Sequence, residues 1–175
     1  MEKILAAMMI ILACTALAIA GGAKKGGMKM KISSPAFTDS QSIPDRYTCN
    51  GNNISPPLRF ENIPARAKSL ALIVDDPDAP AGTWTHWIVW NMSPRTRELA
   101  ENAAPREAIV GKNDFYHNSY GGPCPPSGTH RYFFRLYALD AVLQTAGHAT
   151  RAELEKALQP HIIETAELMG TYQKK

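Results

Sequence analysis

Nowhere does the chain carry a run of lysine or arginine interleaved with aromatic residues, and its formal net charge is only +3. A nucleic-acid partner is thereby excluded, since phosphate neutralisation needs clustered cations. HxH, HExxH and paired CxxC are also absent. Those are the spacings at which His and Cys converge on a metal, so neither a metal nor any other cofactor is expected. No GxSxG turn lifts a serine nucleophile, and Ser127 stands too close to His130 along the chain for a triad. Cysteine is scarce at three residues. Cys14 lies in an apolar leader, which leaves Cys49 and Cys124 either to pair or to remain two separate buried thiols.

Proline and glycine, at 13 and 12 residues, are abundant in a chain of 175 that is 45% hydrophobic. That composition suits one turn-rich domain with a substantial core. Residues 1–20, "MEKILAAMMIILACTALAIA", combine a lysine, an apolar stretch and a small-residue end. The pattern is that of a secretory signal peptide, with an uncleaved membrane anchor or lipidation of Cys14 as alternatives. Residues 21–29 read as a flexible tether, and residues 30–175 as the folded domain. The protein is therefore expected to be exported, to a periplasmic or extracellular setting, with membrane association through the N-terminus as an alternative to free release. Export favours a Cys49–Cys124 bridge.

Short strands cut by turn signals dominate the domain. "MKMKISS", "SLALIVDD", "WTHWIVWNM" and "HRYFFRLYALD" carry the β-branched and aromatic residues of strands. Helix is expected only near the end. "TRAELEKALQP" has Thr150 as N-cap and Glu153 for a capping box, and "HIIETAELMGTY" is read as a second short helix. The fold class expected is mainly β, a sandwich with short peripheral C-terminal helices.

Alternation along residues 84–92 groups Trp84, His86, Ile88, Trp90 and Met92 on one face. Along residues 130–138 it groups His130, Tyr132, Phe134 and Leu136. Both histidines thus open a strand after a Pro/Gly-rich loop. In "VDDPDAP", Asp75, Asp76 and Asp78 repel one another unless paired, and a histidine would serve as partner. An Asp accepting from one ring nitrogen leaves the other for an anion. The same residues also suit satisfied rim histidines and an Asx-type turn.

"DPDAP", "TWTHWIVWNM" and "GPCPPSGTHRYFFRLYALD", in that order, resemble the phosphatidylethanolamine-binding protein family, and within it the bacterial and archaeal Raf kinase inhibitor-like branch. The resemblance spans roughly residues 30–170. It implies a Greek-key β-sandwich with a small cavity for phosphate or phosphoryl head groups at one sheet end. The ligand-binding residues it implies are Asp76, Asp78, His86, Gly122, Pro123, His130 and Tyr132. His86 and His130 would donate to the anion, amides at Gly121 and Gly122 would add a nest, and Pro123 and Pro125 would stiffen the rim. The tail, ending "LMGTYQKK", is shorter than in eukaryotic members, and an exported protein would not meet a cytosolic kinase.

Three functions follow from this reading. The leading one is a non-enzymatic binder of small anions or phosphorylated head groups, with regulation of a protein partner as a further role. The second is an inhibitor of a protease or kinase acting through the pocket rim. The third is a hydrolase using His86 and His130 as acid and base.

Overall fold

The computed structural model describes residues 28–103 and 106–174. The leader, Cys14 and most of the tether lie outside them. The described residues form eight strands, β1 (Lys31–Ser33), β2 (Leu58–Glu61), β3 (Ser69–Asp76), β4 (Trp84–Met92), β5 (Glu98–Leu99), β6 (Ile109–Val110), β7 (Thr129–Leu139) and β8 (Ile162–Gln173), and one α-helix, α1 (Arg151–Leu158). The strands form a three-stranded sheet, β1-β2-β5, and a five-stranded sheet, β6-β4-β3-β7-β8. All strand pairs are antiparallel.

β3 is buried along its whole length, as expected of the central strand of the larger sheet. Its alternate residues feed two cores. Leu70, Leu72 and Val74 join Phe60 and Leu58 of the small sheet in the core between sheets. Ala71 and Ile73 face the other way, beneath Leu154 and Leu158 of α1. Those two leucines lie one turn apart on the helix, and burying each contributes about 2 kcal/mol. The helix starts where its sequence says: Thr150 and Glu153 form the reciprocal capping box.

The second C-terminal helix is not formed. Residues Ile162–Gln173 are β8, paired along β7 from Leu139↔Ile162 to Thr129↔Gln173. The segment carries β-branched Ile162, Ile163, Thr165 and Thr171. Its apolar residues Leu168 and Tyr172 are buried two pleats apart, a spacing that serves a strand as readily as a helix. The long free edge of β7 decides between the two, a partner that no local pattern reveals. Between them, Gly170 must lack a side chain, because a Cβ there would stand 2.5 Å from Ile43 Cγ1.

Strict alternation also fails on β4. Val74 pairs with Trp87 while Asp75 pairs with Thr85, so His86 is an extra residue in the ladder. A second irregularity lies near Asn91, whose φ is +58°. Trp87, Val89 and Met92 consequently belong to the core between sheets, whereas Ile88 and Trp90 belong to the core under α1. The bulge at His86 shifts its ring out of the Ile88–Trp90 face and brings it against Tyr132.

Candidate functional site

The three aspartates of "VDDPDAP" do not share one site. Each has its own partners. Asp75, on the face under α1, is fully buried between Arg135 and Arg151, the latter at 2.9 Å. Burial raises the pKa of its carboxyl, and the two guanidiniums oppose that rise. Asp76 points to the opposite face, as the pleat requires, and its Oδ2 accepts from His130 Nδ1 at 2.7 Å. Its Oδ1 accepts the Asp78 amide at 2.8 Å, which fixes the carboxylate plane. Asp78 turns outward to Arg131, accepting from the backbone N–H at 2.9 Å and from Nη2 at 2.7 Å. The Arg131 hydrogen bonds hold the Asp78 carboxyl at a pKa of about 2.

His86 is held as firmly. Its Nδ1 donates to the Gly121 carbonyl at 2.6 Å, which leaves Nε2 without the proton in the neutral ring. Burial lowers its pKa, against a smaller upward pull from that carbonyl. The ring stands between Phe115 and Tyr132, edge-on to both at 5.3 and 5.2 Å. Tyr132 lies behind the histidine. Its hydroxyl is buried without a hydrogen-bond partner among the described residues, and burial followed by the nearby Asp76 charge raises its pKa.

These groups meet at a cavity of about 350 Å³. Asp76, His86 and His130 are its polar lining; Trp84 and Phe115 give aromatic walls, and Pro80, Pro125 and Pro126 give rigid ones. Such a wall with few convergent polar groups is the usual make-up of a small-ligand site. Cys124 lines it too, and is bridged to Cys49 with a Cα separation of 5.4 Å. The bridge pins the 122–126 loop to the turn at residues 48–51, reinforced by Cys49 N–H donating to the Pro123 carbonyl at 3.1 Å. Among the described residues no cluster of three or more His, Cys, Asp or Glu is arranged for a metal.

The expected residues are thus brought together only in part. Asp76, His86 and His130 line the cavity, while Asp78, Gly122, Pro123 and Tyr132 do not. The glycine nest is not formed from free amides. Gly121 N–H donates to the His86 carbonyl at 3.0 Å, and Gly122 N–H to Asn53 Oδ1 at 2.7 Å. Both donors hold the wall in place.

Two contributors went unread in the sequence. Phe115 lies in a connection that looks polar, and its position depends on Asn113. The Asn113 Oδ1 accepts from the amides of Phe115 and His117 at 3.0 and 2.9 Å, while its Nδ2 donates to the Ser119 carbonyl at 2.8 Å. An Asx turn that presents an aromatic residue was the available signal in "KNDFYHNS".

This geometry can be set beside known proteins. A sequence model described as Phosphatidylethanolamine-binding protein matches residues 33–173. A UPF0098 protein of Methanothermobacter thermautotrophicus is 48% identical, over 83% of this chain and 99% of its own length. One from Chlamydia pneumoniae is 51% identical over the same shares. Among solved structures, a putative phosphatidylethanolamine-binding protein homologue from Chlamydia trachomatis superposes with a TM-score of 0.81 at 48% identity, covering 84% of this chain and 99% of that one. E. coli YbcL, described as a new member of the mammalian family, gives a TM-score of 0.80 at 30% identity, covering 85% and 100%. With its sequence matched over nearly the whole described domain and its two sheets superposing on both solved structures, the chain belongs to the phosphatidylethanolamine-binding protein family.

Proposed function

We propose that the protein is a non-enzymatic binding protein whose cavity takes a small anion, either phosphate or the phosphoryl end of a head group. One observation carries this reading. His86 and His130 each spend Nδ1 on a protein acceptor, Gly121 O and Asp76, so Nε2 is the ring nitrogen left to a ligand at both. Asp76 accepts from His130 Nδ1 and keeps that ring oriented. The buried His86 ring favours the neutral form, so its Nε2 accepts from a protonated phosphoryl oxygen or gains a proton along with a fully ionised anion. Binding on these terms tightens as pH falls. The proline walls and the bridged loop reduce the ordering cost of closing around a ligand.

The fate of Cys124 removes a thiol nucleophile and leaves the hydrolase alternative, with His86 and His130 as acid and base, to the test below. Cys124 is oxidised onto Cys49 and offers no thiolate to His130. The same bridge supports an oxidising compartment for the domain, in keeping with the signal-like leader. A protein partner presenting a phosphorylated or carboxylate side chain would use the same cavity.

The test is titration with inorganic phosphate and with phosphoethanolamine, following the ring protons of His86 and His130 by NMR, with His86→Ala in parallel. Saturable shifts of both rings, lost in the variant, support the proposal. Silence of both rings at millimolar ligand sinks it. Phosphoester turnover abolished by His130→Ala would replace it with the hydrolase.

A further inference from the structure

We propose a second ligand site on this protein, for an uncharged polyhydroxylated molecule about the size of one sugar ring, between Trp87, Tyr120 and the turns bearing Asn53 and Asn102. The cavity there measures about 270 Å³ and shares no lining residue with the histidine cavity.

Its chemistry is of a different kind. Five polar side chains, Asn53, Ser55, Asn102, Asn118 and Ser119, line it, and no Asp, Glu, Lys, Arg or His does. The single titratable lining group is Tyr120, whose hydroxyl already donates to the Tyr47 carbonyl at 3.0 Å. Burial raises its pKa further from any charged state. An ion of either sign therefore finds no countercharge in this lining.

The polar atoms are also unevenly used. Asn53 Oδ1 accepts from Gly122 N–H at 2.7 Å, and Asn118 Nδ2 donates to the Val110 carbonyl at 2.9 Å. Those bonds leave the Asn53 Nδ2 donor and the Asn118 Oδ1 acceptor. The side chains of Ser55, Asn102 and Ser119 make no hydrogen bond among the described residues. Ser55, only 4% exposed, presents what surface it keeps to this cavity.

Free donors and free acceptors are thus interspersed around one small space. Anions need donors and cations need acceptors. A hydroxyl both donates and accepts, so a polyol matches the mixture. Trp87, 3% exposed, packs edge-to-face on Tyr120 at 5.8 Å, and the edges of the two rings form, with Ile54 and Val110, the apolar part of the lining. Asn53 and Asn102 both have φ of +55°, a region asparagine tolerates. Turn geometry accounts for their backbones; Asn53 spends its Oδ1 on Gly122, and the Asn102 amide group lines the cavity with no such bond among the described residues.

The experiment is an NMR titration of the full chain with D-glucose and with myo-inositol, following the Trp87 indole N–H and the Asn102 side-chain amide. Inorganic phosphate is the counter-probe. Saturable shifts of both signals with at least one polyol are expected, with the Asn102 amide silent to phosphate. Asn102→Gly removes the amide group while keeping the left-handed backbone, and should weaken binding about fivefold, the worth of one hydrogen bond. Ser55→Ala is the second variant, with the same expectation. No saturable shift up to about 100 mM of either polyol, far above the range of useful affinity, overturns the proposal. So does an Asn102 response to phosphate equal to that with polyols, or unchanged affinity in both variants.

Discussion

Removing the Cys49–Cys124 bridge tests how the site wall is held. The perturbation is the double variant Cys49→Ser/Cys124→Ser, which leaves no unpaired thiol at the site. The bonded residues are 75 positions apart. A loop of that length restricts the unfolded chain by about 4.5 kcal/mol on the chain-entropy account, near the top of the ~2–5 kcal/mol range for native bridges. Three hydrogen bonds outlast the change in the folded state: Cys49 N–H to Pro123 O at 3.1 Å, Gly122 N–H to Asn53 Oδ1 at 2.7 Å, and Tyr120 OH to Tyr47 O at 3.0 Å. They keep the loop near its place, so the loss falls mainly on stability and less on shape. At roughly 2–4 °C per kcal/mol for a domain of this size, the expected fall in Tm is about 9–18 °C. Calorimetry under non-reducing conditions measures it, with phosphate titration on the same samples. Anion affinity should fall by less than about tenfold, because His86 and His130 keep their own partners. A Tm unchanged within about 1 °C would refute the reasoning, since the loop-entropy contribution would then be absent.

Three other outcomes follow from the site. His86 has a folded-state pKa below its ordinary 6.5, so the unfolded chain binds the proton first as pH falls. Stability should therefore decline below about pH 6.5 at up to ~1.4 kcal/mol per unit. Urea unfolding in anion-free buffer should show this slope reduced in His86→Gln, and parallel curves from pH 7 to 5 would count against it. Gly122→Ala would set a Cβ 2.4 Å from the Tyr47 carbonyl and 2.6 Å from Asn53 Oδ1. Backbone cannot yield cheaply there, so a loss of about 2–3 kcal/mol with weaker anion binding is expected from denaturant melts; a variant as stable as the parent would show the wall free to move. Asp78→Asn removes the Arg131 pair, whose side chains are 53% and 28% exposed. It should cost only about 0.5–1 kcal/mol and leave phosphate affinity within about twofold. Loss of binding in that variant would place Asp78 in the site after all.

What the sequence determined by itself is local or carried by motif. β3 and β4 stand where their apolar and β-branched runs place them, because continuous burial suits a central strand. Thr150 and Glu153 set the start of α1 through their own capping bonds. The ordered motifs around Asp76, His86 and His130 carry the family resemblance in the sequence itself. Tertiary structure decided everything that depends on a remote partner. β8 is a strand because β7 offers it an edge, and His86 joins His130 because a bulge against β3 moves its ring off the face that alternation assigns it. Which partner takes Asp75, Asp76 or Asp78 depends on arginines and a histidine more than fifty residues away. The amides of Gly121 and Gly122 are spent on His86 and Asn53 for the same reason. Hydrogen bonds and ion pairs between distant segments are made only after the sheets have assembled, and a local pattern carries no record of which partner will arrive.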